Sequence, residues 1–255
     1  MIGADKGKLY LVPAPLDFGC EQLAPLQDVM PLHTLQIAAR LSHFICENAK
    51  STRAYLKRVG EVTALAQPIQ ALQIQELPRE VHKKGDHTGN FDARPLLKAA
   101  LAGHDMGLVS EAGMPAIADP GSSVVRAAHD LGVEVIALTG PMSLMLALAS
   151  SGLNGQNFAF VGYLPQDSGE RGLRIKALES LALKTGQTQI FIETPYRNAA
   201  LLQALLQTLQ GNTRLAISCG LTLKTAWNKS ATAEKWKKDK PAPPLGLPTV
   251  FCIGR

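Results

Sequence analysis

Aromatic side chains make up only 5% of this 255-residue chain, and charged ones only 18%. The low charge argues against a disordered chain, and the scarcity of rings leaves Leu, Ala, Ile and Val to fill the core. The four cysteines, Cys20, Cys46, Cys219 and Cys252, form no C-x-x-C pair. That excludes the usual structural zinc pattern and a secreted disulfide scaffold. Cys46, Cys219 and Cys252 lie in apolar segments and read as small core residues. The six histidines show no H-E-x-x-H spacing; His82 and His87 flank a polar "KKGD" that reads as a loop, and no metal is expected. "MIGADKGKLYLVP" has no signal-peptide core, and no apolar run reaches the about 18 residues of a membrane span. A soluble, cytoplasmic protein is therefore expected. No G-x-G-x-x-G follows the first strand, no G-x-x-x-x-G-K-[ST] occurs, and no G-x-S-x-G elbow is present. A standard dinucleotide fold, a P-loop NTPase and a serine hydrolase lose their support.

What is present is an apolar, weakly basic chain. Hydrophobic residues make up 46% and the formal charge is +5, with a pI near 9.0. That charge permits a polyanionic partner without demanding one. Much of it sits in "EKWKKDK" (234–240), which reads as a solvated surface turn. In the first half, short apolar runs alternate with helix-like stretches. Strands are expected at 8–14, 43–47, 69–77, 105–113 and 133–140. Helices are expected at 21–41 (interrupted by Pro25 and Pro31), 51–60 (closed by Gly60), 92–104 and 123–132. Such alternation implies βαβ units and a mainly parallel sheet. An apolar helix follows within 139–153. Beyond it, strands at 158–165, 188–196, 213–227 and 248–254 surround helices at 170–184 and 197–211, with hairpin-like spacing that favours a mixed sheet. The expected fold class is therefore α/β, with two α/β domains, 1–140 mainly parallel and 141–255 mixed.

Four Gly/Pro loops fall at the carboxyl ends of expected strands: "VPAPLDFG" (12–19), "SEAGMPAIADPG" (110–121), "TGPMS" (139–143) and "ETPYR" (193–197). In open α/β sheets ligands bind at that edge. Singly, each loop is better read as a turn. Ala112-Gly113 suits a tight turn, and Asp119-Pro120 suits an N-cap followed by a first-turn proline. Together they suggest one ligand-lining surface.

The order "LYLVPAP", "FICENAKSTR", "GLVSEAGMPAIADPG", "VEVIALTGPMS", "FAFVGYLP", "FIETPYR" and "GLTLK" resembles the tetrapyrrole methylase superfamily along nearly the whole chain. It is closest to the branch that methylates the ribose 2′-hydroxyl of a cytidine in small-subunit ribosomal RNA. Against the pattern S-D-A-G-T-P-x-I-x-D-P-G, residues Ser110, Ala112, Gly113, Pro115, Ile117, Asp119, Pro120 and Gly121 match, while Glu111 replaces Asp and Met114 replaces Thr. The resemblance implies S-adenosylmethionine held in a cleft between two domains, in a homodimer. It places the cofactor against Ser110, Glu111, Ala112, Gly113 and Met114, with Ser143 and Leu144 lining the same pocket. Pro15, Glu193, Thr194 and Gly220 would complete its walls. The sulfonium methyl is already activated, so such a site needs alignment and exclusion of water rather than a metal.

The departures fall on the substrate side. The RNA branch carries E-D-T-R-H-T where this chain has Glu47-Asn48-Ala49-Lys50-Ser51-Thr52. A glycine-asparagine pair becomes Asp17-Phe18, and R-E-L-T-K becomes Cys219-Gly220-Leu221-Thr222-Leu223. Glu47 and Lys50 are the positional candidates for proton removal. Three readings follow: methylation of RNA in the small ribosomal subunit, methylation of a tetrapyrrole or other small molecule, or a paralogue that binds cofactor or RNA without transfer. Lys50, Arg53, Lys57 and Arg58 agree with RNA, and a solvated helix face explains them equally well.

Overall fold

The computed structural model describes residues 5–84, 86 and 91–255. Of the loop expected between His82 and His87, residues 82–84 are helical instead, within Arg79–Lys84, while His87 lies outside the described residues, as do residues 1–4 of the N-terminal segment. The chain divides into two compact units, residues 1–19 with 23–141, and residues 142–255 with the short segment 20–22.

The first unit contains β1 (Leu9–Leu11), α1 (Leu26–Val29), α2 (Leu32–Arg40), β2 (His43–Cys46), α3 (Ala49–Val62), β3 (Gln73–Glu76), α4 (Arg79–Lys84), α5 (Lys98–Leu101), β4 (Met106–Val109), α6 (Ser122–Asp130) and β5 (Val135–Ala137). Its sheet runs β3-β2-β4-β1-β5 and every pairing is parallel. Period-2 alternation divides the apolar strand residues between the two faces. Leu9, Ile45, Met106 and Leu108 pack with Leu97 and Val124 on one side. Tyr10, Phe44, Cys46 and Val109 pack with Leu35, Leu56 and Val59 on the other. Burial on both faces is why these strands read as unbroken apolar runs.

The second unit contains α7 (Ser143–Ser151), β6 (Phe158–Tyr163), α8 (Ser168–Thr185), β7 (Thr188–Glu193), α9 (Asn198–Thr208), β8 (Arg214–Cys219), β9 (Trp227–Thr232), α10 (Ala233–Asp239) and β10 (Thr249–Gly254). Its sheet runs β6-β7-β10-β8-β9. The β6–β7 pair is parallel and the rest antiparallel, so the sheet is mixed. Leu144, Ala147 and Leu148 of α7 cover one face over Ile190, Val250 and Cys252. The other face buries Phe191, Ile217 and Phe251 under Ile175, Leu201, Leu205 and Trp236.

Several boundaries differ from the sequence expectation. Helix α3 continues through Gly60 to Val62, because Tyr55, Leu56, Val59 and Val62 keep an apolar stripe on the core. Residues 69–71 form a 3₁₀ turn after Pro68, leaving only Gln73–Glu76 as strand. Helix α9 stops at Thr208, short of Gly211. The 213–227 segment is a strand and a turn that leads into a second strand, joined as an antiparallel pair. "EKWKKDK" is not a surface turn. It lies in helix α10, capped by Thr232 Oγ1, which accepts from the Lys235 N–H at 3.3 Å. Trp236 anchors that helix: it is 1% exposed and its Nε1 donates to the Leu215 carbonyl at 2.8 Å. Lysines on the exposed side hid one buried ring from composition. The core assignment of the cysteines is correct: burial pushes the Cys46 thiol up to about 11 and the Cys252 thiol up to about 12, leaving them protonated.

Candidate functional site

Because the first sheet is wholly parallel, the loops after β1, β2, β4 and β5 emerge at one edge. They are tied to one another there by backbone hydrogen bonds. Val12 N–H donates to the Leu108 carbonyl at 2.9 Å, and Leu138 N–H to the Leu11 carbonyl at 3.1 Å. Ala14 and Gly113 exchange two N–H···O bonds, each 2.9 Å, forming an isolated antiparallel bridge. Thr34 Oγ1 donates to the Thr139 carbonyl at 2.7 Å and Tyr55 Oη to the Pro13 carbonyl at 3.0 Å.

The 110–121 segment has an unusual backbone. Gly113 (φ +71°), Ala116 (+65°), Ala118 (+63°) and Gly121 (+137°) all lie at positive φ. Two alanines in the left-handed region cost about 1–2 kcal/mol each, so the surrounding bonds must hold the loop in place. The expected N-cap at Asp119 is not found. Helix α6 begins at Ser122 after Gly121, and Asp119 makes no cap. Asp86 takes that role: its carboxylate accepts from Gly121 N–H at 2.9 Å, Ser123 N–H at 2.8 Å, Ser122 Oγ at 2.8 Å and Ser123 Oγ at 2.6 Å. Sequence reasoning missed Asp86 because its partners lie 35–37 residues away.

Within this frame Ser110 is buried, and its Oγ has no hydrogen-bond partner among the described residues. A buried hydroxyl left without a partner is costly, and a bound acceptor or donor at that spot would relieve it. Glu111 accepts from Ser51 Oγ at 3.3 Å. Asp119 titrates far above the usual carboxylate range, at about 7, because it is partly buried and faces the negative charges of Glu47 and Glu111. Three carboxylates therefore act on one another near the ends of β2 and β4, and of these the sequence pattern points to Glu47 alone for proton transfer. Lys50 stands exposed in the first turn of α3.

Two departures from the family pattern change meaning. Asn48 is the N-cap of α3: its Oδ1 accepts from Lys50 N–H at 2.9 Å and Ser51 N–H at 3.2 Å, a role Asp would fill equally well. Asp17 is 2% exposed and receives both Nη atoms of Arg58, at 2.9 and 3.0 Å, as well as Ala24 N–H at 2.9 Å. Arg58 is thus committed within the fold, whereas Arg53 and Lys57 are exposed.

In the second unit, Ser143 opens α7, and Met142 before it supplies no side-chain cap. Leu144 sends its side chain into the core, which leaves only its backbone for a ligand. Glu193 is committed. Its Oε1 accepts from Thr194 N–H and Arg197 Nη2, both at 2.7 Å, and from Thr194 Oγ1 at 3.3 Å. Gly220 (φ +58°) donates its N–H to the Pro248 carbonyl at 2.9 Å, and a Cβ there would meet Leu247 Cδ1 at 2.7 Å. The positive φ, with this packing, accounts for that glycine.

The described residues contain no group of three or more His, Cys, Asp or Glu arranged to hold a metal ion, and no helix among them is long and apolar enough to cross a membrane.

A family model described as tetrapyrrole (corrin/porphyrin) methylases matches residues 29–226. Among curated relatives, the ribosomal RNA small subunit methyltransferase I of Mesorhizobium japonicum is 33% identical over 214 residues, covering 84% of this chain and 63% of the relative. The protein of the same name from Halalkalibacterium halodurans is 32% identical, covering 86% and 65% respectively. The chain thus spans less than two thirds of the length of either relative. Among solved structures, the methyltransferase CobJ superposes with a TM-score of 0.57 at 17% identity, covering 98% of this chain and 94% of that one. The uroporphyrin-III C-methyl transferase of Thermus thermophilus, complexed with S-adenyl homocysteine, gives 0.51 at 16% identity, covering 98% of each chain. These two share the fold. With the family model spanning most of its length, the chain belongs to the tetrapyrrole (corrin/porphyrin) methylases.

Proposed function

We propose that this protein is an S-adenosylmethionine-dependent methyltransferase whose acceptor is RNA of the small ribosomal subunit, at a ribose 2′-hydroxyl. The observation that carries the reading is the first-unit edge. The Ala14–Gly113 bridge ties the loops after β1 and β4 together beside a buried Ser110 hydroxyl that has no partner among the described residues. Residues Ser110, Glu111, Ala112, Gly113 and Met114 would hold the cofactor there, with Pro15 on the neighbouring loop. Ser143, Leu144, Glu193, Thr194 and Gly220 belong to the same proposal from the second unit, Leu144 through its backbone. The bound cofactor supplies a methyl group already activated as a sulfonium. The curated relatives' names supply the acceptor class.

The chain's own work is to bind, orient and manage a proton. A ribose hydroxyl is a weak acid, so a group titrating near neutrality is suited to take its proton. Asp119 meets that requirement, raised first by desolvation and then by the charges of Glu47 and Glu111. Lys50 offers an exposed positive charge on the substrate side. A homodimer is part of the same reading and is checked by sedimentation.

The test is transfer of labelled methyl groups to small ribosomal subunits from a strain lacking this gene. Incorporation at a ribose hydroxyl supports the proposal. Intact cofactor binding without incorporation overturns the RNA acceptor, and absence of calorimetric binding of S-adenosylmethionine overturns the enzyme class.

A further inference from the structure

Tyr196 is 80% exposed, the most exposed of the large hydrophobic side chains described. A ring that buries so little contributes little to stability. Single exposed aromatics are common, but this one sits among specific neighbours. The Arg197 guanidinium carbon lies 5.2 Å from the Tyr196 ring centroid. Arg197 is itself fixed, because its Nη2 donates at 2.7 Å to Glu193 Oε1, on a carboxylate side chain only 3% exposed. One Nη is thus spent inside the fold, while the five-donor guanidinium fork keeps capacity for an incoming acceptor. Tyr163, 57% exposed, ends β6 and pairs in register with Ile192 of the parallel strand β7. Two exposed phenol rings and one clamped arginine therefore share the carboxyl edge of two adjacent strands.

We propose that Tyr163, Tyr196 and Arg197 form a stacking platform for an unpaired nucleobase of single-stranded RNA, with Arg197 meeting the adjoining phosphate or base edge. The inference rests on the RNA reading above and assigns it a contact surface. Aromatic faces and guanidinium planes take up unstacked bases, whereas a duplex hides those faces. The exposed edges of two tyrosines suit a flat heteroaromatic ring better than an aliphatic partner, and the chain's net charge of +5 suits a polyanion.

The test measures binding of the full chain to a fluorescein-labelled single-stranded RNA and to its duplex, alongside calorimetric titration with S-adenosylmethionine. Tyr196→Ala and Tyr163→Ala should each weaken single-strand binding about tenfold. Tyr196→Phe, which keeps the ring, should restore wild-type affinity, and Tyr196→Leu should not. Cofactor affinity should be equal in all variants, showing that each is folded. The duplex should bind more weakly and be indifferent to these changes. Wild-type binding with an unaffected Tyr196→Ala variant overturns the platform and leaves the RNA reading standing. A wild-type protein that ignores RNA overturns both. A variant that changes sedimentation but not RNA affinity makes the tyrosines a self-association surface, and the platform falls.

Discussion

The Asp86 carboxylate accepts both hydrogen bonds that Ser123 offers at the start of α6, from its N–H at 2.8 Å and its Oγ at 2.6 Å. With Gly121 and Ser122 also bound, Asp86 closes the far end of the 110–121 loop, as the Ala14–Gly113 bridge closes its middle. Burial pushes the Asp86 carboxyl up, but the bonds from Ser123, Ser122 and Gly121 outweigh it and hold the group below the usual carboxylate range. Its stabilisation is therefore present at neutral pH and lost as pH falls through that depressed value. Asp86→Ala should cost about 2 kcal/mol, from a lost cap and unpaired donors. It should also weaken cofactor binding, because the positive-φ alanines are then free to relax. Thermal melts and calorimetry check both. A destabilised variant with unchanged cofactor affinity would separate the cap from the cradle.

Gly113 has φ +71°, and a Cβ there would lie 3.3 Å from Leu16 Cδ2 and 3.6 Å from the Pro141 carbonyl oxygen. Substitution therefore acts through the backbone. Gly113→Ala should cost about 1–2 kcal/mol and loosen the bridge to Ala14, and Gly113→Val should cost more because its branch stiffens χ1. Loss of S-adenosylmethionine binding in a folded Gly113→Val protein is the expected outcome of calorimetry. Unchanged affinity would show that the cradle lies elsewhere.

Arg58 had looked like one of four cations available to RNA. Its pairing with a 2%-exposed Asp17 assigns it to the fold instead. Arg58→Ala strands a buried carboxylate and should destabilise the protein by about 3 kcal/mol. Adding Asp17→Asn should recover part of that loss. The salt dependence of RNA binding should be the same for the Arg58→Ala, Asp17→Asn protein and wild type. A flattened salt slope would mean that Arg58 reaches phosphate after all.

What could be read from the chain depended on how local the signal was. Strands β1, β2 and β4 were legible because burial on both faces writes itself as apolar runs such as "HFIC" and "MGLV". The positive-φ loop was legible through "SEAGMPAIADPG", where the backbone favours glycine at Gly113. Asp119 looked like a cap since Asp before Pro so often is, yet the cap comes from Asp86, distant in sequence. Arg58 and Asp17 lie 41 residues apart, and no periodicity joins them. Helix α10 was hidden because one buried tryptophan among lysines carries no stripe. Tyr196 was legible only as part of the "ETPYR" loop, since exposure of a ring is a property of the fold alone.

Asp119 provides the pH signature of the site. Its carboxyl is pushed up to about 7 by burial first, then by the charges of Glu47 and Glu111. A carboxyl raised above its unfolded value of 3.8 binds its proton more tightly in the folded protein. The stability linked to it is full below that unfolded value and declines as pH rises toward about 7. Asp119→Asn should therefore melt close to wild type at pH ~4 and above it at pH ~8. The gap is bounded by about 4 kcal/mol at the standard conversion for three pK units, and solvent access reduces it. In methyl transfer the acidic limb of kcat against pH should fall near 7 and vanish in Asp119→Asn. Glu47→Gln or Glu111→Gln removes one repelling charge, so the limb should move to lower pH without disappearing. If neither variant moves it, the titrating proton acceptor is a group other than Asp119.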